Sequence, residues 1–148
     1  MGRRYSGLGD QAAATNATVI GLTSASTIRP MIYDLLIGCG ATPLDLATIF
    51  HLERYTVAGT STAFTPIALD PADPAALAAY GSNHTVEPTY TAAAHLLAFS
   101  LNQRATWRWV AAPDSELKCP ATAANGIGLQ IQSSGGTAVH EATMLHAE

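Results

Sequence analysis

The sequence predicts an all-β protein: a jelly-roll-like β-sandwich with one short helix and an extended N-terminal arm. Three observations carry this expectation. Short apolar runs with period-2 alternation recur along the chain, Gly, Pro, Asn and Asp punctuate them, and only one segment, near residue 70, carries a helix start signal. About eight to ten strands at hairpin-like spacing suit two packed sheets, and a two-sheet jelly roll fits their number and length best. Neither βαβ alternation, an internal repeat nor a domain boundary is visible. Residues 17–148 therefore read as one β-sandwich domain behind an arm at residues 1–16.

The arm is assigned because Gly2, Gly7 and Gly9 interrupt a stretch without periodicity. Residues 17–23 give a first strand. Residues 27–38 give a stronger one, with Ile28, Met31, Ile32, Leu35, Leu36 and Ile37 bounded by Gly38-Cys39-Gly40. Residues 48–56 alternate cleanly, with Phe50, Leu52 and Arg54 on one face and Ile49, His51, Glu53 and Tyr55 on the other. A loop at 57–62 and an extended piece at 63–69 follow. Residues 70–80 carry the helix signal: Asp73 can cap free amides, Pro74 suits the first helical position, and an Ala/Leu run continues. Strands are expected next at 85–90 and 94–101.

Three further strands follow at 107–110, 116–119 and 128–133, stitched by Pro, Asn and Gly turns. Trp107 and Trp109 are two apart, so a strand turns both indoles to one face and Arg108 to the other; they are candidates for core or oligomer packing. Residues 137–146 close the chain, with Val139, Thr143 and Leu145 on one face and His140, Ala142, Met144 and His146 on the other.

Hydrophobic residues make up 48% of the 148-residue chain and charged residues only 12%. That charge content is about half the usual share, and a surface so poor in it suits a protein packed against copies of itself or a partner. A net charge of −4 and a single lysine, Lys118, argue against nucleic-acid binding, Arg3-Arg4 being the one basic pair. No apolar run reaches the ~18 residues of a membrane helix, and no apolar core follows Arg3-Arg4 as a signal peptide requires. Cys39 and Cys119 are isolated in sequence and read as reduced and partly buried.

Catalytic patterns are missing. Five histidines invite a metal, but no His-x-His pair exists; His51, His84 and His95 are scattered, and His140 and His146 stand about 20 Å apart along a strand. The histidines are expected at the surface or at subunit contacts. No Gly-x-Ser-x-Gly elbow occurs, Gly7-Leu-Gly9 follows no strand and opens no helix, and Asp10, Asp34, Asp45, Glu53, Glu87 and Glu116 show no grouping. The reading is a protein that is not an enzyme and takes no cofactor or metal. Trp107 and Trp109 with Tyr55 and Tyr90 offer one alternative, a stacking platform for sugars.

The stretch from Leu69-Asp70-Pro71 through Asn102–Pro113 (NQRATWRWVAAP) to Ala121–Gln130 (ATAANGIGLQ) resembles small structural proteins of tailed bacteriophages. The resemblance is to head decoration, or cement, proteins. It implies a homotrimer on the outside of the virion shell, made in the bacterial host cytoplasm, that clamps major capsid protein subunits. Arg3, Arg4 and Tyr5 are then the capsid-contact candidates. The alternative within the same resemblance is a head-fibre base or a tail or baseplate module, with host-glycan binding.

Overall fold

Twelve β-strands account for the regular structure of residues 2–148, the part of the chain described by this computed structural model. They are β1 (Arg4–Ala12), β2 (Thr18–Thr23), β3 (Met31–Ala41), β4 (Ala47–Val57), β5 (Thr60–Phe64), β6 (Ile67–Ala68), β7 (Ala79–Val86), β8 (Thr89–Asn102), β9 (Trp107–Val110), β10 (Leu117–Lys118), β11 (Gly126–Ser134) and β12 (Val139–Ala147). They form two antiparallel sheets in a sandwich. One sheet, A, runs β10-β3-β12-β1-β6 with β9 also on β3; the other, B, runs β5-β7-β2-β11-β4-β8.

The pairing is nested. β1 pairs β12, β2 pairs β11, β3 pairs β9 and β4 pairs β8, so chain ends meet and successive pairs alternate between sheets A and B. The segment between β4 and β8 is an addition to that nest: β6 extends sheet A beside β1, while β7 and β5 extend sheet B beside β2. Between the sheets lies an aliphatic core that includes Val19, Ile20 and Leu22 of β2, Ile32, Leu35 and Ile37 of β3, and Ile127, Leu129 and Ile131 of β11. Each set is a period-2 or near-continuous apolar run of the kind a sheet buries on its inner face. Both cysteines are free, Cys119 being buried in this core and Cys39 half-buried.

Two expectations are corrected. The N-terminal arm is extended, but residues 4–12 are not an arm: β1 lies inside sheet A, hydrogen-bonded to β12 on one side and β6 on the other. Its glycines are there for close approach. A Cβ on Gly7 would lie 2.1 Å from the Tyr80 ring, and one on Gly9 would lie 2.6 Å from the Val19 carbonyl oxygen.

The short helix is also absent: no helix occurs among the described residues, and 70–78 form turns and irregular backbone before β7 begins. Among the described residues Asp73 caps no amide; its carboxylate lies 3.8 Å from Arg3 Nε, while Asp70 accepts from the Ala72 N–H at 2.9 Å in an Asx turn. The helical amides are claimed elsewhere, however. The Glu148 carboxylate accepts from the Leu77 and Ala78 N–H groups at 3.0 and 2.8 Å, and the Pro74 carbonyl accepts from Tyr5 Oη at 3.1 Å. A charge-assisted partner from the chain end outcompetes a two-turn helix whose own nucleation is costly.

Candidate functional site

Sheet B turns a polar and aromatic layer outward, built on β4, β11 and β8. Tyr55 of β4 stands edge-on to Tyr90 of β8, ring centroids 5.9 Å apart. Tyr55 Oη lies 2.7 Å from Thr23 Oγ1, and Tyr90 Oη lies 2.8 Å from Thr18 Oγ1. Desolvation pushes both phenols well above their ordinary pKa, so both remain protonated hydrogen-bonding groups at neutral pH. The glycines of β11 make room for these rings: a Cβ on Gly126 or Gly128 would fall 2.4 or 2.3 Å from the Tyr55 and Tyr90 hydroxyls.

Beside the tyrosines, three ligand-type side chains converge. His51 and Glu53 are two apart on β4, and His95 of β8 sits opposite Glu53 in the register. His51 Nδ1 and His95 Nδ1 each lie 2.9 Å from the same carboxylate oxygen, Glu53 Oε1, and the imidazole centroids are 4.5 Å apart. All three donor atoms fall within 4.8 Å of one another. The Glu53 side chain is 6% exposed, while His51 and His95 are 22% and 46% exposed, so the carboxylate is the floor and the imidazoles the open rim. Gln132 Nε2 donates to Glu53 Oε1 at 3.3 Å and also to Gln130 Oε1; Gln130 in turn donates to the Asn16 carbonyl at 3.0 Å. The carboxylate is thereby held in one orientation.

A strand irregularity creates this grouping. From Leu52 to Glu53 β4 advances one residue while β8 steps from Leu97 to His95, so Leu96 is the extra residue of a bulge; a second irregularity follows between His95 and Tyr90, where Ala93 has φ 57°. The bulge re-aims His95 over Glu53. The sequence had placed His51 and His95 among scattered surface histidines, and the structure corrects that. It also places His140 and His146 inside the core, at 3% and 0% exposure, rather than at the surface.

The residues singled out from the sequence lie elsewhere. Arg3 is exposed, and its Nε is 3.8 Å from Asp73 Oδ1. Arg4 is exposed over the Tyr33 ring at 5.4 Å. Tyr5 is fully buried, stacked on His146 at 5.3 Å, so its ring offers no surface to a partner. Trp107 and Trp109 pair with Ile37 and Leu35 of β3, face between the sheets and pack against the core.

A second feature is the outer face of sheet A. The register lines Leu8, Thr143, Leu36 and Arg108 in one row and Ile67, Ser6, Leu145, Asp34 and Val110 in the next. Leu8 is 64% and Leu36 39% exposed, and together they wall a shallow groove of about 510 Å³ that ends at Asp10 and Glu141. Asp34 is buried under Arg108, which donates from Nε at 3.0 Å and from Nη2 to its two carboxylate oxygens. Comparison with known protein families, curated proteins and solved structures found no match to this chain.

Proposed function

We propose that this chain is a virion structural protein that works by binding without turnover, as a homotrimeric decoration module on the outside of a phage capsid. The observation that carries the reading is the outer face of sheet A, where Leu8, Leu36, Ile67 and Val110 are all exposed on neighbouring paired strands. Such a face suits a protein–protein contact, whose buried centre is depleted of charge. Its groove ends in the directly opposed Asp10 and Glu141, a like-charge pair that favours a basic group from a partner.

The nested strand order supports a jelly roll: β1-β12-β3-β9 over β2-β11-β4-β8, with β5 to β7 as an insertion. The resemblance of residues 69–130 to decoration proteins points the same way. Arg3 and Arg4 remain accessible for the major capsid protein; Tyr5 does not. Its burial narrows the capsid-contact candidates to the two arginines, and the sheet face is the surface offered to the other subunits of the trimer. The sugar-platform alternative has less support, because the indoles turn inward and one Trp107 face is covered by Phe99.

Light scattering of the purified protein should give the mass of a trimer, and the protein should co-sediment with expanded capsids of its source particle. Removing residues 1–14 is not a clean test, since it deletes β1 from the middle of sheet A. Arg3→Ala with Arg4→Ala should keep the trimer and weaken co-sedimentation. A stable monomer that ignores capsids sinks the reading.

A further inference from the structure

We propose that His51, Glu53 and His95 form a binding site for a divalent transition metal, Zn2+ above all, on the outer face of the β4–β8 pair. The site is independent of the capsid reading: it lies on sheet B, whereas the proposed contact face is on sheet A.

The donor set selects the metal class. Two imidazole nitrogens and one carboxylate oxygen suit Zn2+, Cu2+, Ni2+ or Co2+, while Mg2+ and Ca2+ take oxygen ligands. The geometry is close to what coordination needs. Donors of a tetrahedral Zn2+ stand roughly 3.3 Å from each other, given bonds near 2.0–2.2 Å. Here both Nδ1 atoms stand 2.9 Å from Glu53 Oε1, and no donor pair exceeds 4.8 Å. Rotations of the two half-open imidazoles, a few tenths of an ångström at Oε1 and more at the rim, bring the three into place.

Convergence of both imidazoles on a single carboxylate oxygen, through the same ring nitrogen, is what distinguishes this cluster from a surface ion pair. One histidine already satisfies Oε1, and Gln132 supplies a further donor at 3.3 Å. Metal coordination at Nδ1 requires each imidazole as the neutral tautomer with its single proton on Nε2, any further proton passing to solvent. Gln132 and Gln130 act behind the ligands, holding the carboxylate as outer-shell partners do at metal sites. The 22% and 46% exposure of His51 and His95 leaves an entry path and an open fourth position facing solvent, which water fills. Bound there, the metal cross-links edge strand β8, across its bulge, to β4.

Isothermal titration of the full chain with Zn2+ should show one site per chain, and Co2+ should give the visible absorption of a low-coordinate nitrogen/oxygen site. Zn2+ should also raise the thermal midpoint, because it binds the folded chain alone. His95→Ala, at the most exposed ligand, should lower Zn2+ affinity at least tenfold and abolish the thermal shift measured against its own metal-free melt. Gln132→Leu should weaken binding by roughly tenfold through the carboxylate. His84→Ala, which removes a histidine outside the cluster, should change nothing. Absence of a one-to-one site overturns the proposal, as does Zn2+ binding that survives both His51→Ala and His95→Ala; the second result would mean adventitious binding elsewhere.

Discussion

Trp107 of sheet A stacks on Phe99 of sheet B, with ring centroids 3.9 Å apart and planes inclined by 25°, and Phe99 stacks in turn on Phe50 at 5.4 Å. The stack closes the sandwich at the end where β9 and β8 are both edge strands, so neither has a second strand to hold it. Trp107→Ala should therefore destabilise the fold by about 2–3 kcal/mol, below the range for fully buried aromatics because this indole is half-buried. Urea unfolding followed by circular dichroism measures this. A loss within error would mean that the stack is ornamental to the fold.

Gly126 is the second point where packing is tight enough to predict a cost. An added Cβ would meet the Leu22 carbonyl oxygen at 2.2 Å and the Tyr55 ring at 2.4 Å, and backbone cannot step aside as a flexible side chain can. Gly126→Ala should cost about 1–3 kcal/mol by overpacking. Gly38→Ala, whose Cβ would have only Thr106 nearby at 3.4 Å, should be close to neutral. Equal midpoints for the two variants would contradict the close approach of Tyr55.

These positions also show what the sequence could convey. Alternation in β4 correctly separated Phe50 and Leu52 from His51 and Glu53, and alternation in β12 correctly separated His140, Met144 and His146 from Val139, Thr143 and Leu145. Period-2 faces are local and readable. The partner of His51 and Glu53 was not readable, because His95 reaches Glu53 only through a bulge on a strand whose pairing is set by the whole sheet. β1 was hidden for a different reason. Gly7 and Gly9 carry no strand propensity, yet the ring of Tyr80 needs the space above Gly7. The helix signal at 70–80 failed because its competitor, the carboxylate of Glu148, lies some seventy positions away in sequence.

If the outer face of sheet A is the contact surface, a charge there should dissociate the assembly without unfolding the chain. Leu36 is exposed and sits between Thr143 and Arg108 in the register, so a carboxylate at this position meets solvent in the free subunit. Leu36→Asp should leave the thermal midpoint within about 0.5 kcal/mol equivalent of the parent, the usual scale of a surface substitution. By light scattering it should run as a monomer. A trimer unaffected by both Leu36→Asp and Leu8→Asp would place the contact on another face.

Acid sensitivity follows from the two core histidines. Burial lowers the pKa of both His140 and His146 from the ordinary 6.5. His146 lies between the Tyr5 and Tyr80 rings, with Tyr80 Oη 2.8 Å from Nδ1 and the Glu148 carboxylate 3.4 Å from Nε2; that carboxylate pulls upward but does not overcome desolvation. His140 packs edge-on to Phe50 at 5.2 Å, and neither of its ring nitrogens meets a hydrogen-bond partner among the described residues. Each group binds fewer protons folded than unfolded once the pH drops below 6.5. Their contribution to stability is thus complete above that pH and is lost as the pH falls below it, by about 1.4 kcal/mol for each unit of depression traversed. The urea midpoint should fall between about pH 7.5 and about pH 5.5, a window in which ordinary carboxylates are still largely ionised. His140→Leu removes one titrating group and two buried nitrogens without partners. It should match or exceed the parent at neutral pH and lose less stability on acidification. An unchanged pH slope in His140→Leu would show that this imidazole already takes up its proton in the folded chain.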